Sequence, residues 1–248
     1  IVAVRSQIRP EWFVINRALA KIGCAQVGLN WHFKFNEVLH VMQDSGAKAV
    51  FFDDEDPSMM VQLREELPLK ILVGINTFEH PEVDQYNKLI AEREVENRIS
   101  NVVTPQIIVY TSGTTGHPKG VFRDYARMGV DMIKLQEYQQ DIIDSRGFKP
   151  TDNRTLVCTP LHHGLGPHNA EITHKNGDLV VLLKKFDPEK ALDLIMKHKI
   201  TSWTCVPTML KRVSQLPREV LDKYDVSSLE ALIVGAAPVP QSLKDWAI

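Results

Sequence analysis

Residues 107–121, IIVYTSGTTGHPKGV, join a β-rich apolar run to a loop of hydroxyls and glycines. Ile107, Ile108, Val109 and Tyr110 have the branched and aromatic side chains of a strand. The loop runs Thr111, Ser112, Gly113, Thr114, Thr115, Gly116, His117, Pro118, Lys119, Gly120 and closes into a second short apolar run at Val121 and Phe122. Its glycines let the backbone turn and approach a ligand closely. Its four hydroxyls and free backbone N–H groups make a donor-lined concavity suited to phosphate oxygens. Lys119 adds a compact positive charge. The pattern is not a Walker loop, which needs G-x-x-x-x-G-K-[ST] opening into a helix. Here Gly113 to Gly116 is too short, Pro118 precedes the lysine, and Gly120 follows it. The plain alternative is a Ser/Thr/Gly surface loop without a ligand.

On both sides of this stretch helical and strand periods alternate. Ile1–Val4 is a short apolar start; Trp12, Ile15, Leu19 and Ile22 follow at helical spacing and stop at Gly23. Ala25, Val27 and Leu29 alternate as a strand, residues 35–45 carry Val38, Leu39 and Met42 to a stop at Gly46, and Ala49–Phe52 reads as a buried strand. A helix over 58–67 precedes a strand over 71–73. Residues 76–104 are more polar, with the charge run Glu92, Arg93, Glu94 and Glu96, and read as a solvated helix and connection. Met128, Met132, Leu135 and Ile142 predict a long helix over 125–143, the methionines packing a core. The segment DSRGFKPTDN, 144–153, has the Gly, Pro, Asp and Asn of a linker. Beyond it strands at 155–159, 179–183, 202–206 and 229–234 alternate with helices at 166–175, 188–198 and from Pro207, Asp187 serving as an N-cap. This alternation predicts an α/β architecture of two doubly wound subdomains, 1–148 with the hydroxyl loop and 149–248.

Composition narrows the function. At 44% hydrophobic and 24% charged the chain is ordinary globular material. Lys+Arg 29 against Asp+Glu 31 advertises no basic face, so nucleic acid is not an expected partner. Cys24, Cys158 and Cys205 lack C-x-x-C spacing and read as reduced intracellular thiols. No apolar run approaches the roughly 20 residues of a membrane helix, and no signal peptide is visible; a cytoplasmic location is expected. Ile1 stands in mid-pattern, so sequence before it is expected.

Two further stretches carry chemistry. TPLHHGLGPHNA, 159–170, sets adjacent His162 and His163 after a strand and before a Gly-rich bend. Ligands of α/β sheets sit beyond the carboxyl ends of strands, so the position suits a site. A metal site of His162, His163, His168 and His174 would lack a completing Cys or carboxylate at convincing spacing, and a merely packed pair is the other alternative. LIVGAAPVP, 232–240, ends a strand at Gly235 and continues through Ala236, Ala237 and Pro238, a wall without bulk that could border a flat ring. By itself it is a strand-to-turn.

Taken together these stretches resemble the adenylate-forming (AMP-binding) superfamily, which holds acyl-CoA synthetases, firefly-type luciferases and peptide-synthetase adenylation domains. IIVYTSGTTGHPKGV resembles its phosphate loop, and PLHHGLG its P-x-x-H-x-x-G region, where the matching histidine is His163. GAAP resembles its adenine segment, and Val206-Pro207-Thr208-Met209 the V-P-[ST] stretch bordering the acyl pocket. Residues 17–51 and 223–232 are also family-like, so the resemblance covers nearly the whole chain. After Gly120-Val121 the family often has a histidine; Phe122, Arg123, Asp124 and Tyr125 stand here, and no functional residue is taken from them.

The resemblance implies ATP-dependent conversion of a carboxylic acid to an acyl-adenylate, then transfer to coenzyme A, with Mg²⁺ offsetting phosphate charge. It assigns catalytic roles to His163 and Lys119. It assigns nucleotide binding to Thr111, Ser112, Gly113, Thr114, Thr115, Gly116, Lys119, Gly235, Ala236, Ala237 and Pro238, and no protein metal ligand. The HHGLG run favours the acyl-CoA ligase branch, and Val206 and Met209 an apolar or aromatic acid. The family's acidic magnesium-binding segment, ribose-binding Asp and mobile C-terminal lid domain with its catalytic Lys are not in residues 1–248. The chain therefore resembles part of a longer synthetase, expected to make no acyl-CoA by itself. The rival expectation is a degenerate or truncated relative that binds nucleotide or acyl ligand without turnover.

Overall fold

The computed structural model describes residues 1–91, 106–111, 118–122, 134, 137, 141, 145 and 152–247. The first sheet is built from β1 (Val2–Arg5), β2 (Gln26–Leu29), β3 (Ala49–Phe52), β4 (Ile71–Gly74), β5 (Asp84–Gln85), β6 (Ile107–Thr111) and β7 (Lys119–Val121). Their spatial order is β5-β4-β3-β1-β2-β6-β7. All neighbours pair parallel except β6 and β7. α1 (Pro10–Lys21) carries the chain from β1 to β2; α2 (Phe35–Ser45) then crosses back past β1 to β3, and α3 (Ser58–Glu66) continues outward to β4. α4 (Tyr86–Ala91) follows β5.

Reversing direction at β1 puts helices on both faces, because each parallel crossover is right-handed. On one face Val27, Leu29, Val50, Phe52, Ile108 and Tyr110 pack with Val38, Val41 and Met42 of α2 and Met60 and Leu63 of α3. Gln26 points to the other face, where Asn16 of α1 donates to it at 3.3 Å. This is why β2, which reads as an alternating strand, is buried along its whole length.

The second sheet holds β8 (Arg154–Val157), β9 (Leu179–Leu182), β10 (Ser202–Cys205) and β11 (Ala231–Val234) in the order β11-β10-β8-β9, all parallel. α5 (Leu165–Lys175), α6 (Pro188–His198) and α7 (Pro207–Ser214) connect them in turn. The winding repeats that of β1 to β4, although the sequence shows no repeat. α6 and α7 bury Ala191, Leu192, Ile195, Leu210 and Val213 against Leu156, Cys158, Trp203 and Cys205. The face beneath α5 is polar instead: Thr155 meets Thr173 at 2.6 Å, and Asn169 donates to Thr204 at 2.7 Å. The short α8 (Arg218–Leu221) and α9 (Gln241–Ala247) complete the described residues; neither is anticipated by the sequence reading.

The chain forms two compact units, Ile1–Asp124 with Leu161–His163, and Tyr125–Pro160 with Gly164–Ile248. The expected division at 148/149 stays a proposal, and the segment Leu161–His163 belongs to the first unit. Most of 144–153 lies outside the described residues, so a linker there stays a proposal. Of the helix expected over 125–143, Lys134, Glu137 and Asp141 are described, helical and exposed, as is Ser145 beyond it; Met128, Met132, Leu135 and Ile142 lie outside. The charge run at 92–96 lies outside as well. Among the described residues no helix is long and apolar enough to cross a membrane.

The helix ends obey their sequence signals. Gly46 ends α2 at φ +66°, a left-handed turn that suits glycine. Asp187 accepts a hydrogen bond from the Lys190 N–H at 3.0 Å, with Pro188 in the first turn of α6. Asp187→Ala should therefore cost about 1 kcal/mol, and Asp187→Asn much less. Urea unfolding checks this: the midpoint should fall with no change of slope.

Candidate functional site

In the first unit the two strands that flank the hydroxyl loop, β6 and β7, pair antiparallel as a hairpin. β7 returns along β6 with Val109 opposite Val121, Tyr110 opposite Gly120 and Thr111 opposite Lys119. Thr111 and Lys119, both exposed, therefore face each other at the mouth of the loop. Ser112, Gly113, Thr114, Thr115 and Gly116 lie outside the described residues, so their expected contacts remain a proposal. Gly120 is dictated by its neighbour: a Cβ there would stand 2.9 Å from Cζ of Tyr110. The Tyr110 hydroxyl donates to Asp44 at 2.6 Å, and burial, reinforced by Asp44, raises its pKa and keeps it protonated.

The histidine pair sits in the same unit, carried there by Leu161–His163. Its seat is Gly28 of β2. A Cβ on Gly28 would come 2.9 Å from the His162 Cα and 3.2 Å from its carbonyl oxygen. The backbone of the histidine segment thus lies directly on the strand, and any larger residue would push it off.

His162 is buried, and its Nδ1 has no hydrogen-bond partner. Burial first, then His163, His32 and Arg5, push its pKa down to about 3, so the ring is neutral. The His163 ring lies 4.2 Å from it and is exposed, its own pKa lowered by partial burial. Lowering favours the neutral imidazole form; the expected role of His163 toward a carboxylate stays a proposal. Among the described residues no three His, Cys, Asp or Glu side chains converge.

Sequence reasoning missed Arg5. It ends β1, only 5% exposed, and donates to Asp54 at 2.8 Å and to the carbonyls of Asn30 and Trp31 at 2.8 and 2.7 Å. It fixes the turn bearing His32 and contributes positive potential at His162. The one available signal was a charge at the end of an apolar strand, VAVR.

In the second unit Gly235 follows β11, its N–H donating to the Cys205 carbonyl at 3.2 Å. A Cβ there would meet Leu165 at 3.3 Å. Ala236 adopts φ +66°, a left-handed conformation that costs an alanine roughly 1–2 kcal/mol. Ala236, Ala237 and Pro238 are exposed and present a low wall. Val206 caps α7, and Met209 packs partly into the second core, its sulfur 3.8 Å from that of Cys158.

A family model described as AMP-binding enzyme matches residues 1–248. Feruloyl-CoA synthase of an Amycolatopsis species is 27% identical over 227 residues, 91% of this chain and 42% of that protein. The fatty acid–[acyl-carrier-protein] ligase ScoC of Streptomyces coeruleorubidus is 28% identical over 233 residues, 94% of this chain and 43% of that protein. The amide bond synthetase McbA of Marinactinospora thermotolerans has the same fold, with a TM-score of 0.78 at 24% identity over 99% of this chain and 47% of that one. The chain thus spans less than half the length of these relatives.

The buried histidine yields a pH prediction. His162 titrates well below its unfolded value of 6.5, so below that pH the unfolded chain binds a proton the folded chain refuses. Stability should fall as pH drops from 6.5 toward about 3, by an amount on the order of a few kcal/mol. In NMR titration the His162 ring signals should stay flat from about pH 8 to about pH 5, where an ordinary histidine moves.

Proposed function

The chain belongs to the AMP-binding enzyme family, and from that premise we propose that the full protein is an acid–thiol ligase. It activates a carboxylic acid with ATP and passes the acyl group to coenzyme A. The observation that carries this reading is Lys119 standing opposite Thr111 at the mouth of a hydroxyl-rich hairpin. The names of the relatives support it, since they join feruloyl or fatty acyl groups to thiol carriers. They also support an acid with an apolar or aromatic body. The proposal includes a cytoplasmic location, where ATP and coenzyme A are at hand.

A carboxylate is a poor acyl donor because its leaving group would be oxide. A carboxylate oxygen therefore attacks the α-phosphorus of ATP, the bond to the bridging oxygen breaks, and pyrophosphate departs. The coenzyme A sulfur then attacks the acyl carbon, the carbon–oxygen bond to AMP breaks, and the thiol proton passes to solvent. In this scheme Thr111 and the hydroxyls and N–H groups of 112–116 hold the β- and γ-phosphates. Lys119 offsets their charge, which in phosphoryl-type transfer is most of what a protein supplies. His163 orients the carboxylate, and Gly235, Ala236, Ala237 and Pro238 border the adenine. Mg²⁺, where bound, would offset phosphate charge and be held largely by the phosphates themselves.

Pyrophosphate exchange over a panel of fatty and aromatic acids tests the reading. Lys119→Ala should slow exchange about 10- to 100-fold, the worth of one charge-assisted contact. Lys119→Arg should recover part, since a planar fork does not replace a compact ammonium. His163→Ala should slow adenylation while leaving ATP affinity nearly intact. Circular dichroism should be unchanged throughout. Wild-type exchange in Lys119→Ala would refute the role of the loop.

A further inference from the structure

The hairpin of β6 and β7 is gripped from one helix at two points. α2 presents His40 and Asp44, four residues apart and so on the same helix face. Asp44 accepts the Tyr110 hydroxyl on the outgoing arm at 2.6 Å. His40 Nε2 lies 3.1 Å from the carbonyl oxygen of Pro118, immediately before the returning arm. A carbonyl can only accept, so Nε2 carries the hydrogen and donates it.

The Pro118 carbonyl belongs to the same rigid plane as the Lys119 N–H. Proline fixes its own φ as well. Holding that carbonyl therefore sets the backbone from which the Lys119 side chain departs. The outgoing arm is fixed in a complementary way: Tyr110 lies against Gly120, where no Cβ fits, while its hydroxyl is held by Asp44. The helix is a firm support. Val38, Val41 and Met42 anchor it in the core, Glu37 accepts the Lys34 N–H at 2.8 Å, and Gly46 closes its far end.

We propose that His40 and Asp44 are positioning residues of the phosphate-loop hairpin, His40 holding the Pro118–Lys119 peptide so that Lys119 meets the β- and γ-phosphates of ATP. This rests on the reading of Lys119 given above. α2 thus holds Tyr110 and Pro118, on the two arms that flank the loop. Because His40 acts through Lys119, its contribution belongs to the distal phosphates and not to the nucleoside.

Two measurements on the full-length protein test the latch. The first is native-state hydrogen exchange. His40→Ala and Tyr110→Phe should each speed exchange of the hairpin amides around Lys119, while His40→Gln, which keeps a donor, should restore most protection. Unchanged exchange in His40→Ala would overturn the latch. The second is calorimetric binding of magnesium ATP and of AMP. His40→Ala should weaken ATP about 2- to 10-fold, the span of one neutral hydrogen bond, and leave AMP unchanged. On a Lys119→Ala background the same change should add little. Equal losses for ATP and AMP, or an undiminished effect without Lys119, would mark His40 as merely structural and sink the proposal. Faster hairpin exchange in His40→Ala, with Lys119→Ala binding ATP as wild type does, would keep the latch on the hairpin but overturn its link to phosphate and the role given to Lys119.

Discussion

The parallel pairing of β2 with β6 is the constraint on which the first unit's site depends. β2 carries Gly28, the seat of His162, and β6 ends at Thr111, where the hydroxyl loop begins. Parallel neighbours lie about 4.8 Å apart and run the same way. The histidine segment and the loop are therefore tied to adjacent strands of one sheet, though they are about fifty residues apart in sequence. Gly28 and Gly120 have a common physical role. Each gives up a side chain so that another group, His162 or Tyr110, can lie directly on backbone.

Electrostatics divides the same region into a neutral part and a charged one. Burial keeps His162 neutral, and the positive charge of Arg5 works in the same direction. Arg5 is itself neutralised by Asp54 and held by two carbonyls, so a buried guanidinium is tolerated. Lys119 stands outside this network, exposed at the loop mouth. An exposed ammonium costs little to keep charged and gains most when an anionic ligand covers it.

In the second unit the polar seam under α5 contrasts with the apolar packing under α6 and α7. Hydrogen-bonded pairs such as Asn169 with Thr204 fix one register where apolar contacts would tolerate several. The left-handed Ala236 is a different kind of constraint, strain held at an exposed turn directly after a strand. Strain of this sort persists where surrounding structure over-determines it, and it gathers at ligand-facing turns.

Much of this was legible in the sequence because it is local. Helical and strand periods placed α2, β3, α6 and their caps, since periodicity and capping depend on neighbours a few residues away. The SGTTG loop, the histidine pair and the GAAP turn stood out for the same reason. The sequence alone therefore determined the α/β alternation, the family and the residue types of the candidate site. Tertiary structure decided what depends on distant partners. It made Leu161–His163 part of the first unit by setting His162 on Gly28. It gave the loop its hairpin register. It brought Arg5 to Asp54, and His40 and Asp44 to Pro118 and Tyr110. Apart from the hairpin register, these join residues between about 50 and 135 positions apart. No local pattern encodes such a meeting, which follows only once the sheet order places the strands side by side.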